Sequence, residues 1–128
     1  MITVASTGKA LGMADSSAVD PTIDLEGISA RTELVLAMKM GTTTREDMDA
    51  SVPLLVRHLS SLLNLDLGQA EDQDVERLCR QGRTLIEHGT RPTNETPAFG
   101  VFIYLRDTAL VARRLLWIYA EQEGVSAP

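Results

Sequence analysis

Thr96–Gly124 reads TPAFGVFIYLRDTALVARRLLWIYAEQEG, and this stretch decides the fold class. Thr96 supplies a hydroxyl for an N-cap, and Pro97 suits the first helical position, where its missing N–H costs nothing. The helix is expected to run to about Glu123 and to stop at Gly124. One face is apolar or small: Ala98, Val101, Leu105, Ala109, Ala112, Leu116 and Tyr119. The opposite face carries Phe99, Phe102, Ile103, Leu110 and Trp117, with Arg106 and Arg113 among them. A helix that is apolar on nearly every side belongs at the centre of a bundle or in an oligomer interface. Only three shorter helices are expected to cover it, so the surplus points to a homodimer.

Those three helices lie upstream. The first is expected over Asp24–Met40, with Leu25, Ile28, Thr32, Val35, Leu36 and Lys39 at helical spacing, Gly27 weakening its first turn and Gly41 as its stop. The second follows Thr44, an N-cap with Glu46 and Asp47 behind it, where acidic side chains suit the helix dipole. Its stripe is Met48, Val52, Leu55, Val56, Leu59, Leu62 and Leu63, and its end is expected near Asp66–Gly68. Pro53 lies inside that pattern and implies either a kink or a start near Ser51. The third helix spans about Glu71–Glu87. It places Val75, Leu78, Cys79, Leu85 and Ile86 on one face, with Gly82 marking close approach by a neighbouring helix. Arg77, Arg80 and Thr84 face water, and residues 88–95 read as a loop. With no alternating strand pattern, the expected fold is all-α, an antiparallel four-helix bundle with short joints over residues 22–128. Residues 1–21, rich in Gly, Ala, Ser, Thr and Asp, read as a flexible tail, and Met13 offers an alternative start.

Composition narrows the function classes. A chain of 128 residues can bury a single core without metal or disulfide support. Its lone cysteine, Cys79, excludes an intrachain disulfide and fits a reducing compartment, so a cytoplasmic location is expected. No secretory leader and no long apolar run is evident, so no membrane role is expected. The net charge of −6 opposes nucleic-acid binding, which needs clustered Lys and Arg. Between Arg77 and Arg114, however, seven Arg stand against Glu87, Glu95 and Asp107, which keeps an anionic small molecule or an acidic protein partner in view.

The segments ELVLAMKMGTTTREDMDASVPLLVRHLSSLLNLDLGQAE, VERLCRQGRTLIEHG and VARRLLWIYAEQEG carry a resemblance over about Glu33–Glu123. Their layout resembles a family of short helical actinomycete proteins of unknown activity, loosely labelled natural-product biosynthesis proteins. The steps that carry it are Arg57-His58-Leu59 in the Leu-rich helix and Arg113-Arg114-Leu115 in the last. Pro53 and the longer loop before Thr96 depart from the pattern. The resemblance implies a producer organism and a gene neighbourhood, but no reaction.

Few residues invite chemistry. His58 titrates near neutrality and could act as a base, but a boundary histidine bonded to a neighbouring helix is the preferred reading. His88 beside a helix C-terminus suits the dipole there. Cys79 lies on the apolar face of its helix and reads as a structural thiol rather than a nucleophile. Two histidines and one cysteine without HExxH or CxxC spacing give no metal site, and no cofactor is expected. Glu71, Asp72, Asp74 and Glu76 read as an acidic helix start, not a di-metal set. Ser6-Thr7-Gly8-Lys9 lacks the leading glycine and the preceding strand of a phosphate loop. Asn94-Glu95-Thr96 matches a glycosylation sequon that a cytoplasmic chain would not use.

The constellation worth keeping is Arg106, Arg113 and Trp117, one and two turns apart, with Phe99 and Leu110 beside them. Its ordinary reading is an ion pair from arginine to an acidic side chain of the first or second helix. Its sharper reading is an interface or ligand site, to which Tyr104 and His58 could also contribute. The favoured function is therefore a non-catalytic helical accessory or regulatory protein that acts by partner binding or self-association. The alternative is a small ligand-binding or cyclisation enzyme, which a closed apolar pocket lined by these residues would favour.

Overall fold

The computed structural model describes residues 23–124; the expected tail, the alternative start at Met13 and the Ser6–Lys9 run lie outside them. Four helices follow in order: α1 (Leu25–Leu36), α2 (Arg45–Leu63), α3 (Gln73–Ile86) and α4 (Ala98–Glu123). No strand occurs among the described residues. The all-α expectation holds.

The helix starts follow local chemistry. The Asp24 carboxylate accepts from the Gly27 N–H at 2.9 Å, and a Cβ on Gly27 would overlap that carboxylate. Thr44 accepts from the Asp47 N–H at 3.0 Å, as its sequence context predicts. Asp72 caps α3 through the N–H groups of Asp74 and Val75. α4 differs: Pro97 is the N-cap with no side-chain bond, and the Thr96 hydroxyl instead accepts from the Thr93 N–H at 2.9 Å. Arg45 explains this arrangement, since its guanidinium donates to the carbonyls of Thr96 at 2.8 Å and Thr93 at 2.9 Å and to Asp49. The loop is fixed by α2, not by its own cap.

The ends differ more from expectation. α1 stops at Leu36, four residues short of Met40, and Ala37 forms a right-handed cap whose N–H reaches the Glu33 carbonyl, with the Met38 N–H on the Val35 carbonyl. Gly41 lies in the following turn, and Lys39 is exposed outside the helix. α2 ends at Leu63, and Gly68 supplies the positive φ (84°) that turns the chain into α3. Pro53 neither starts nor ends α2. The helix runs through it, with Pro53 itself exposed. A proline ring on the solvent side leaves the packed stripe intact, and the carbonyl one turn back can bond water. Gly124 ends α4 in the left-handed region, φ 70°, as expected.

Packing makes α4 the central post. It touches α1, α2 and α3, whereas α1 and α3 do not touch each other. One buried cluster joins Met48 and Leu55 of α2 to Val101, Leu105 and Ala109 of α4 and Val35 of α1. The other joins Leu59 and Leu62 to Val111, Ala112, Leu115 and Leu116, with Ile28, Val75 and Cys79. α2 and α4 therefore run parallel across the diagonal, and α1 and α3 run antiparallel to both. Two of the buried hydroxyls are satisfied within their own helices, where Thr32 donates to the Ser29 carbonyl and Thr108 to the Tyr104 carbonyl, and a third, Ser51 of α2, accepts from the Arg31 guanidinium of α1 at 3.3 Å.

Gly82 sits where α3 crosses α2. A Cβ there would lie 3.2 Å from Leu63 Cδ2 and 3.4 Å from Leu59 Cδ1, so the sequence expectation of close approach holds. Gly82→Val is expected to push the helices apart and cost about 1–3 kcal/mol. A thermal midpoint within 1 °C of wild type, in a scan of about 1 °C per minute, would contradict that crossing.

Candidate functional site

The exposed side of α4 gathers most of the sequence candidates. Phe99 (60% exposed), Ile103 (37%), Leu110 (36%) and Trp117 (47%) lie along it as the large apolar side chains left open on that helix. Arg106, Asp107 and Arg114 are exposed on the same side. The inward side explains why. Val101, Tyr104, Leu105, Thr108, Ala109, Val111, Ala112, Leu115, Leu116 and Ala120 are all buried against α1, α2 and α3. Ala109 and Ala112 let the neighbouring helices come close, which turns the bulkier residues outward.

Arg113 sits at the edge of this face. It reaches Glu33 of α1 at 3.4 Å, and its guanidinium lies 5.3 Å from the Trp117 ring centroid, within cation–π range. An acidic partner from the first or second helix was the sequence expectation, and Glu33 fills that role. Both side chains remain wet, at 32% and 59% exposure, so the pair contributes little to stability. Arg106 and Arg114 form no ion pair among the described residues.

Tyr104 and His58 lie elsewhere. Tyr104 is buried, and its hydroxyl donates to the Leu85 carbonyl at 2.6 Å. It closes the C-terminus of α3, whose Ile86 carbonyl accepts from Arg91 Nε at 2.7 Å. Burial pushes its phenol above the ordinary value, and with its hydroxyl engaged it is not part of the α4 face. His58 lines a groove of about 380 Å³ between α1 and α2, with Asp24, Arg31, Leu34, Leu54 and Arg57. Burial, then the charge of Arg57, holds its imidazole below the ordinary value. A second groove of about 480 Å³ continues along Arg31 and Leu34 toward Met38 and Thr43. Both are open to solvent, and neither contains Arg106, Tyr104 or Trp117.

The charged side chains of α3 pair with one another. Asp74 pairs with Arg77, and Glu76 pairs with Arg80 and Arg83, so much of the positive surplus noted in the sequence is neutralised along α3. No three His, Cys, Asp or Glu side chains converge as a metal site among the described residues. Cys79 is fully buried, and burial pushes its thiol up. No described helix is long and apolar enough to cross a membrane. The structural residue that sequence reading missed is Arg45. Its signal was weak because its acceptors are backbone carbonyls 48 and 51 positions away. Comparison with family models, curated proteins and solved structures gives no match.

Two outcomes follow from these placements. Tyr104→Phe leaves the Leu85 carbonyl without its partner and is expected to cost about 1–2 kcal/mol in urea unfolding. His58 is held below its usual 6.5, so the unfolded chain binds the proton more tightly than the folded one. The stability that follows is full above that value and lost as the pH falls through it. His58→Gln should therefore lose less thermal stability than wild type between about pH 7.5 and 5.5, and equal losses would refute the burial effect.

Proposed function

We propose that this chain is a non-catalytic helical protein that acts by association through the exposed face of α4. The observation that carries the reading is the row Phe99, Ile103, Leu110 and Trp117, left open on a helix whose other sides are packed. An apolar row with charged neighbours is the composition of a protein-binding patch, in which Trp and Arg are favoured anchors. Arg113 already holds the Trp117 ring, which lowers the cost of ordering that anchor.

The enzyme alternative called for a closed pocket lined by Arg106, Tyr104, His58 and Trp117. Those residues are divided between the outer face of α4, the α3–α4 contact and the α1–α2 groove. Among the described residues the groove that His58 lines holds no Ser, Thr, Cys or Lys for it to activate, which favours association over catalysis. An accessory or regulatory role in the cytoplasm suits both this chemistry and the resemblance to short actinomycete natural-product biosynthesis proteins.

The experiment is sedimentation of wild type beside an Ile103→Glu/Leu110→Glu double variant. Two charges placed on the face should weaken association by more than about 100-fold while helicity stays unchanged, because both side chains are more than one third exposed. Wild type that neither self-associates at about 100 μM nor captures a partner through this face would overturn the reading.

A further inference from the structure

We infer that the occupant of this face is a second copy of the chain, with the two α4 helices antiparallel about a two-fold axis passing beside Thr108; the inference rests on the association proposed above. The spacing carries it. Phe99, Ile103, Arg106, Leu110, Arg113 and Trp117 follow one another at intervals of four, three, four, three and four residues. That is the seam spacing of a helix pair with interlocking side chains. It also reads the same from either end, and its centre is Thr108, which itself points into the core.

Charge chooses the direction. In a parallel pair each residue meets its own copy, so Arg106 would face Arg106 and Arg113 would face Arg113. The antiparallel pair avoids this. Phe99 meets the partner's Trp117, Ile103 meets the partner's Arg113, and Arg106 lays its methylene stem on the partner's Leu110. The Cα atoms of Arg106 and the partner's Asp107 are then offset by about 4.5 Å along the axis, which brings the guanidinium within reach of a carboxylate that forms no ion pair within its own chain among the described residues. Opposed helix dipoles also favour this direction.

The area is sufficient. The four exposed apolar side chains present about 400 Å² per copy. With the arginine stems, the two copies together would bury about 1,200 Å², the lower edge of specific interfaces. A micromolar, reversible dimer is the expected result.

Spin labels test the direction separately from the association. Cys79→Ala removes the buried thiol, and Asp107→Cys or Glu121→Cys then gives a single exposed attachment site, with sedimentation of each labelled protein run alongside. In the antiparallel dimer the label at position 107 lies within about 3 Å of its mate along the axis, and the label at position 121 about 39 Å away. Dipolar spectra showing one short and one long distance support the proposal. Two short distances mean a parallel dimer and overturn the direction alone. Two long distances in a dimer mean that another face is used, and wild-type protein that stays monomeric at every concentration removes the association as well.

Discussion

Everything in this molecule depends on how much of a 26-residue helix three shorter ones can cover. α1 has 12 residues, α2 has 19 and α3 has 14, and all three lie against α4. At about 1.5 Å per residue, α4 is close to 39 Å long, twice the length of α1. Covering it completely would need a fourth neighbour. The chain instead gives three sides of α4 small and branched residues that fit the neighbours, and places two aromatics and two aliphatics on the fourth. The outer face is a consequence of the bundle's geometry as much as of any function laid on it.

The two ends of the bundle are held differently from its middle. In the middle, buried Leu, Val and Ala side chains from α1, α2 and α4 interlock, and the Thr32 and Thr108 hydroxyls bond within their own helices. At the ends, polar side chains bridge elements: Tyr104 closes α3, and Arg45 fastens the loop before α4 to the first turn of α2. Burial supplies most of the stability, and these few hydrogen bonds decide where the helices start and stop.

That division explains how much could be read from the sequence. The four helices, the Thr44 cap, the close approach at Gly82 and the left-handed stop at Gly124 all rest on local signals: periodicity, capping chemistry and backbone sterics. The boundaries that differed depend on distant groups. Thr96 and Pro97 read locally as a cap and a first helical residue, but Arg45 takes the Thr96 carbonyl across 51 positions of sequence. Gly41 read as a stop, yet α1 ends at Leu36 because the chain must turn back there to bring Met48 under Val35. Pro53 read as a kink or a start near Ser51, because the sequence gives its place in the pattern but not that α2 begins at Arg45 and continues through it with the ring exposed. For the candidate site, the sequence placed Phe99, Arg106, Arg113 and Trp117 together through their helical spacing. It had no means of separating Tyr104 and His58, which depend on what α3 and α1 contribute.

Cys79 has a consequence beyond its packing. Its sulfur is sealed among Leu59, Leu62, Val75 and the α4 side chains, and burial keeps it protonated. A reagent reaches it when α3 lifts from the rest of the bundle, so its reaction rate follows the frequency of that opening when reagent is in excess enough to outpace reclosing. The molecule thus contains its own clock for the breathing of one helix. In a cell under oxidative stress, the same seal would confine damage to the small fraction of chains that happen to be open at that moment.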